Sequence, residues 1–154
     1  MRIALHGTPP CDIALARRAM HAAARPYRLP AGTVVTLAFV DDATMRALNA
    51  RFRGKDRTTD VLAFGEAFAP AVRGAGAAGA LRPDADGTIQ LGDVVISGTQ
   101  AARQARRRRW PLTAEVAFLA AHGTLHLLGF EDETRAGYRE MASLGHGALA
   151  TARK

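Results

Sequence analysis

The chain is organised around one stretch, Ala121-His122-Gly123-Thr124-Leu125-His126-Leu127-Leu128-Gly129-Phe130-Glu131-Asp132-Glu133. Its two histidines stand four residues apart, a spacing that puts both side chains on one face of a helix. Gly129 follows where a left-handed glycine ends a helix, and Asp132 comes where the returning chain offers a third side chain. Imidazole nitrogen and carboxylate oxygen both bind zinc at roughly 2.0–2.2 Å, and three protein ligands leave a position for water. The pattern therefore predicts one zinc ion per chain, held by His122, His126 and Asp132.

Two other interpretations of this stretch stay open on the residues alone. A pair of histidines at this spacing also occurs on ordinary, partly buried helices that bind no metal. The spacing further matches zinc proteases of the type H-E-x-x-H-x-x-G-x-x-H/D, in which the Glu after the first His is the general base. Gly123 stands at that position, so peptidase chemistry lacks its base. His146 is a substitute third ligand, but its distance in sequence favours Asp132.

Composition and charge restrict the class of protein. The chain has 154 residues, enough for one domain with a substantial core. Its formal net charge of +7 favours a polyanionic partner such as nucleic acid, although a generally basic surface explains the charge equally well. No apolar run is long enough for a membrane span, and the N-terminus lacks a secretory signal. A single cysteine agrees with a reducing compartment, so we expect a cytoplasmic location.

Hydrophobic periodicity and turn residues predict alternating strands and helices. Strands are expected at 2–6, 33–40, 61–64 and 88–97, and helices at 12–25, 43–52, 99–109, 113–128 and 133–154, with Thr113 as the cap of the fourth helix. Residues 65–87, rich in Gly and Ala, are predicted to be a flexible, low-complexity loop. We expect residues 1–154 to form a single α+β domain, with a mixed sheet of about four strands, packed by helices and with the zinc-binding helix at its centre.

Three segments resemble the YbeY endoribonucleases, the bacterial rRNA maturation factors. The segment from His122 to Asp132 resembles the signature H-G-x-L-H-L-x-G-Y-D-H, with Asp132 where the family has its third histidine ligand. The segment from Leu48 to Phe64 resembles L-N-x-x-Y-R-x-K-D-x-P-T-D-V-L-S-F-P, and Leu91 to Ser97 resembles L-G-D-I-x-I-S. The three segments occur in the family's order. We expect the aspartate to preserve the metal site with altered charge and affinity.

The resemblance implies a zinc-dependent endoribonuclease that cleaves single-stranded RNA in 16S rRNA maturation and ribosome quality control. Its partners would be ribosomal RNA and the ribosome or small-subunit proteins, with no membrane. Arg53 matches the family's functional arginine, and an arginine beside a metal can bind a phosphate. The alternative is a turn arginine bonded to backbone carbonyls. Glu115 matches a recurrent family glutamate, which either orients a metal ligand or stabilises the start of its helix.

Further RNA contacts are predicted at Lys55 and at the cationic run Arg106, Arg107, Arg108 and Arg109. Cations beside Trp110 suit phosphate and base contacts, while a solvated helix end is the alternative. No independent general base is evident, so a metal-activated water, or Glu131 or Glu133 acting through water, remain candidates. Two other functions also stay open: a metalloprotease-like zinc hydrolase, and a non-catalytic ribosome or RNA-binding factor with a structural metal.

Overall fold

The computed structural model describes residues 1–66, 68 and 72–154, and it contains a sheet of four strands surrounded by helices. The strands are β1 (Arg2–His6), β2 (Thr33–Val40), β3 (Val61–Gly65) and β4 (Ile89–Ser97). The helices are α1 (Ala14–Ala24), α2 (Asp42–Arg53), α3 (Ala75–Ala80), α4 (Gly98–Arg108), α5 (Leu112–Leu127) and α6 (Arg135–Ala152), with a 3-10 turn at Arg25–Tyr27. The predicted α+β class and the mixed sheet of four strands are confirmed.

The order of the strands in the sheet is β1-β2-β4-β3. β1 and β4 both pair parallel to β2, while β3 pairs antiparallel to β4 and forms one edge. The register of β2 and β4 shifts between Val34 and Val35, opposite Gly92. Gly92 has a φ of 137°, and an added Cβ there would lie 2.3 Å from the carbonyl oxygen of Phe64, so the irregularity requires glycine.

Helix α5 forms the centre of the packing, as predicted. It contacts α1, α4, α6, β3 and β4. Twelve of its 16 residues are buried, which explains why its sequence is apolar on every side and shows no polar stripe. A smaller apolar cluster under α2, which includes Met45, Leu62 and Val95, covers the opposite face of the sheet. The end of α5 lies beside β3, where Leu127 packs against Gly65.

The prediction of a loop over 65–87 is wrong for two parts of that segment. Gly65 belongs to β3, and residues 75–80 form α3, because alanine is the strongest helix former and this helix can bury Ala77 and Ala78. Leu81 is also buried, at 4% exposure. Residues 67 and 69–71 of the predicted loop lie outside the described residues.

The start of helix α5 differs from the prediction. Helix α5 begins one residue before Thr113, and Pro111 precedes it without a side-chain cap, so the predicted cap at Thr113 is wrong. A proline suits this position, since it has no backbone N–H to leave unpaired and its φ is already helical.

None of the helices in the described part of the chain combines the length and apolar character needed to cross a bilayer.

Candidate active site

The turn after α5 brings a third polar side chain back to the two histidines. Gly129 adopts a φ of 82°, and an added Cβ there would lie 2.6 Å from the carbonyl oxygen of Val72. Backbone N–H groups of Leu128 and Phe130 donate to carbonyls of the last helical turn, and the Phe130 ring is buried in the core. The chain is thus fixed where it reverses, and Asp132 returns to the face of His122 and His126.

The three side chains converge on one point. The Nε2 atoms of His122 and His126 lie 3.1 Å apart. Oδ2 of Asp132 lies 3.1 Å from Nε2 of His122 and 3.5 Å from Nε2 of His126. Ligands of a tetrahedral zinc at roughly 2.0–2.1 Å are separated by roughly 3.3 Å. The observed separations bracket this value, so the three atoms fit a zinc-sized ion.

Protonation of the three groups also fits metal binding. Nδ1 of His126 lies 2.9 Å from the carbonyl oxygen of Phe130, and a carbonyl only accepts, so the proton is on Nδ1 and the lone pair is on Nε2. Burial, followed by the neighbouring His126, lowers the pKa of His122 and favours neutral imidazole. Burial raises the pKa of Asp132, but the two histidines outweigh it and the net shift is downward. Nδ1 of His122 has no partner among the described residues.

Gly123 shows why a protease base is missing at this site. The residue packs directly on the sheet, and an added Cβ would lie 2.5 Å from Cγ1 of Val94 and 3.3 Å from Cγ2 of Val61. A glutamate at this position would therefore clash with β4 before it could reach the histidines. The local packing excludes the catalytic arrangement on which the metalloprotease alternative depends.

The three converging side chains lie in a cleft of about 570 Å³. Arg53 lines the same cleft from the last turn of α2, and its guanidinium forms no hydrogen bond with any described residue. The alternative of a turn arginine bonded to carbonyls is thus not supported. The loop after Arg53 is held by buried Asn49, whose Nδ2 donates to the carbonyl of Arg57 at 2.8 Å. Arg53 is thus a cation without a partner among the described residues, at the end of α2 and in the same cleft as the candidate metal site.

The predicted cationic run is divided by the structure. Arg108 lines the cleft with Trp110, and its guanidinium carbon lies 5.5 Å from the centroid of the Trp110 ring. Arg106, Arg107 and Arg109 are exposed and do not line the cleft, and neither does Lys55. Arg109 takes a left-handed φ of 55°, which ends α4 and redirects the chain. A helix places successive side chains about 100° apart, so four adjacent arginines cannot share one wall.

Glu115 lies two turns before His122 and is fully buried. Its Oε2 lies 3.5 Å from Nη1 of Arg108, and its Oε1 has no partner among the described residues. Burial raises the pKa of Glu115, although the charge of Arg108 opposes this shift. No hydrogen bond joins Glu115 to either histidine in the described structure, and Glu115 does not line the cleft. The structure thus places Arg53 in the cleft with the three candidate ligands and keeps Glu115 out of that cleft.

Two polar cleft residues, Asp60 and Tyr138, received no role at this site from their sequence positions, and the cleft also contains Trp110 and His146. Asp60 follows the Arg53 loop, where its Oδ1 accepts from the N–H of Val61 at 2.8 Å and its Oδ2 accepts from Nε2 of Gln104 at 2.9 Å. Trp110 and His146 belong to different elements and meet edge to face, with centroids 5.7 Å apart. Sequence spacing holds no signal for a pair that only tertiary packing creates.

The chain is similar to known proteins in both sequence and fold. A model of the family "Endoribonuclease YbeY" matches residues 12–152. The chain belongs to this family. The predicted family is therefore confirmed. The predicted enzyme class is confirmed as well, since the family is one of nucleases that hydrolyse RNA.

Individual relatives and one solved structure agree with this assignment. An endoribonuclease YbeY of Moorella thermoacetica is 39% identical over 133 residues, which cover 86% of this chain and 81% of the relative. One of Gloeobacter violaceus is 44% identical over 114 residues, covering 73% and 54%. The solution structure of TM1509 from Thermotoga maritima matches with a TM-score of 0.58 at 20% identity, covering 98% of this chain and 91% of that one. That likeness establishes the fold.

Proposed function

We propose that this chain is a zinc-dependent endoribonuclease that cleaves single-stranded RNA, with ribosomal RNA as its substrate during 16S rRNA maturation and ribosome quality control. The observation that carries the proposal is the convergence of His122, His126 and Asp132, whose ligand atoms all lie within 4.8 Å of one another, in a cleft lined by two arginines. Ribosomal proteins of the small subunit are the proposed partners, and the cytoplasm, where ribosomal RNA is processed, is the proposed location.

His122, His126 and Asp132 would hold one zinc ion per chain. When bound, the ion supplies a Lewis acid that polarises a phosphate oxygen and lowers the pKa of a coordinated water. Two neutral imidazoles and one carboxylate give the site a charge of −1 before the metal binds, where three histidines would give zero. Charge alone would therefore hold zinc more strongly here than at a site of three histidines, and it would attract a phosphodiester less strongly.

Arg53 would bind the scissile phosphate. Its guanidinium has no other partner among the described residues, and Arg53 lines the cleft together with the three proposed ligands. A guanidinium can donate two parallel hydrogen bonds to a phosphate, and this contact strengthens as charge develops during transfer. Arg108 lines the same cleft but already contacts Glu115 and Trp110, so we assign it to binding of the RNA beyond the reacting phosphate.

The position of each carboxylate separates the candidates for the general base. Glu131 does not line the cleft but lines a neighbouring groove beside β3. Glu133 is exposed and lines neither the cleft nor that groove. Asp60 is the described carboxylate that lines the cleft besides Asp132. Its hydrogen bonds with Val61 and Gln104 fix its orientation, so a role in holding the attacking water is open to Asp60.

The proposal is tested on purified, untagged protein by metal analysis and RNA cleavage. We expect one zinc per chain, cleavage of single-stranded RNA in preference to duplex, and loss of cleavage on chelation that zinc restores. The variant Arg53→Ala should retain the metal and lose cleavage by roughly 100-fold or more, as for removal of one charge-stabilising donor. Bound zinc without cleavage in any condition would instead favour the binding factor with a structural metal, and cleavage unaffected by Arg53→Ala would refute its assigned role.

A further inference from the structure

The cleft continues into a second groove along the edge of the sheet. This groove has a volume of about 640 Å³ and runs beside β3, the antiparallel edge strand. Arg53, Val61 and His126 line both spaces, so the groove and the cleft are continuous at the candidate metal site. A polymer bound across the metal site would therefore extend into this groove.

An exposed aromatic ring lies in the groove. Phe52 is 55% exposed, although a phenylalanine normally buries most of its surface. Its ring contacts Phe64 of β3 edge to face, with centroids 5.1 Å apart, and the guanidinium carbon of Arg51 lies 5.1 Å from its centroid. The ring is thus held in place on one side, and more than half of its surface stays open to a ligand.

We propose that Phe52 is the stacking platform for the nucleobase next to the scissile phosphate, an inference that rests on the proposed endoribonuclease function. Phe52 and Arg53 are adjacent in sequence, and both line this groove. A phosphate on Arg53 therefore places the base of a neighbouring nucleotide within reach of Phe52. Stacking on a side chain requires a base that is unpaired and splayed out, so this platform would select single-stranded RNA.

The charges in the groove favour RNA with a defined orientation. Arg53 lines the groove and attracts phosphates, and Arg51 carries a second positive charge at the Phe52 ring. Glu66 and Glu131 line the remainder of the groove and repel phosphates, but carboxylates accept hydrogen bonds from base amino groups. The backbone of the strand would therefore follow the arginines and its bases would point toward the glutamates. A peptide added to the open edge of β3 is the competing occupant.

The test combines a kinetic and a spectroscopic measurement on the full chain as purified. A short single-stranded RNA carries 2-aminopurine at one position at a time, because the fluorescence of this base reports stacking. With the wild type we expect one position next to the cleavage site to show a changed signal on binding. The variant Phe52→Ala should abolish that change and raise KM for single strands by roughly tenfold, since stacking on one aromatic ring typically contributes this much or more.

Three further variants distinguish a loss of base stacking from a general loss of folded structure. Phe52→Leu keeps an apolar side chain but removes the aromatic face, so it should behave as Phe52→Ala, whereas Phe52→Trp should restore the signal and KM. Leu5→Ala is the matched control, because Leu5 is a 42% exposed apolar residue on β1, at the opposite edge of the sheet. We expect it to change neither quantity.

The outcomes distinguish this inference from the proposed function. Cleavage of single-stranded RNA with KM and 2-aminopurine signal unchanged in Phe52→Ala and Phe52→Leu would overturn the stacking platform and leave the nuclease standing. Competition for the groove by extended peptides, without any effect of Phe52 on RNA, would assign the groove to a protein partner. Absence of RNA cleavage and of RNA binding in the wild type would overturn both.

Discussion

One carboxylate lies near the start of helix α5 and another lies just past its end, and their surroundings shift their pKa values in opposite directions. Near its start, Glu115 is fully buried and meets one partner, Arg108, at 3.5 Å. Just past its end, Asp132 is partly exposed and meets two histidines at 3.1 and 3.5 Å. The pKa of Glu115 is raised because burial dominates, whereas that of Asp132 is lowered because the histidines outweigh burial.

The difference shows what makes a carboxylate available as a ligand. Charge in a low-dielectric environment is costly unless other groups offset it. Glu115 has one cation at 3.5 Å, and its Oε1 has no partner among the described residues, so burial shifts its pKa toward the neutral form and it behaves as a packing residue. Asp132 retains its charge at a point where two imidazole nitrogens also converge. The surroundings of the two residues therefore indicate different roles.

The largest expected effect follows removal of the carboxylate at the end of α5. Asp132→Ala should lose the bound metal and reduce RNA cleavage by at least about 100-fold, because two imidazoles alone cannot complete the site. Metal content per chain and initial rates of cleavage measure the two effects. The fold should remain, since Asp132 is not part of the core.

The variant Asp132→His is the matched control for this prediction, because it supplies the family's residue at the same position. It should retain the metal, and a gain in cleavage over the wild type would show that the aspartate weakens the enzyme. Zinc retained at full occupancy in Asp132→Ala would contradict the assigned ligand and would place the third donor elsewhere.

The carboxylate near the start of α5 should affect stability and not metal binding. Glu115→Ala creates a cavity in a packed core and should lower the free energy of unfolding by about 2–4 kcal/mol. Denaturant titration measures this effect. The metal content of the folded variant should equal that of the wild type, and loss of zinc would instead show that Glu115 supports the histidines.

Glu115→Gln keeps the volume and isolates the charge. Below the ordinary pKa of a glutamate, the wild-type carboxyl is protonated in both states and its contribution to stability is complete. As pH rises toward the raised pKa, the folded state holds a proton that the unfolded chain has lost, so stability falls. The Gln variant should lack this decline, which begins near the ordinary glutamate pKa of about 4.3. Parallel profiles for wild type and variant would show that Glu115 is ionised in the fold.

A third carboxylate, that of Asp42, has a lowered pKa, so its effect on stability should change with pH in the opposite direction to that of Glu115. Hydrogen bonds from Arg103 and Ser97 lower the pKa of Asp42, which starts α2 and lies partly exposed. Its contribution is present above the ordinary aspartate pKa and is lost as pH falls through the lowered value. Asp42→Asn should destabilise the protein at neutral pH by roughly 0.5–1 kcal/mol, and the difference from the wild type should vanish in acid.

Asp56→Asn is the control for Asp42→Asn, because Asp56 pairs with Arg46 on the surface, where both side chains are more than half exposed. Solvent screens such a pair, so the stability should not change measurably. An equal effect of the two substitutions would show that the contacts of Asp42 with Ser97 and Arg103 are no stronger than an ordinary surface pair.

The sequence by itself determined the elements and the metal-binding pattern. The His122 to Asp132 spacing, the terminating Gly129 and the alternating strands depend on local periodicity and turn chemistry, which are encoded within a few residues. The short helix inside the Gly and Ala segment escaped prediction, because the burial of Ala77 and Ala78 that stabilises it comes from distant parts of the chain.

Tertiary structure decided the order of the strands and the composition of the cleft. Strand order β1-β2-β4-β3 depends on which faces pack together, and one parallel crossover does not specify it. The same packing selected Arg108 from four adjacent arginines, separated Glu115 from the site, and joined Asp60, Trp110 and His146 to the histidines. These residues meet across distances in sequence that no local pattern records, because burial of apolar surface is non-directional and acts on the chain as a whole.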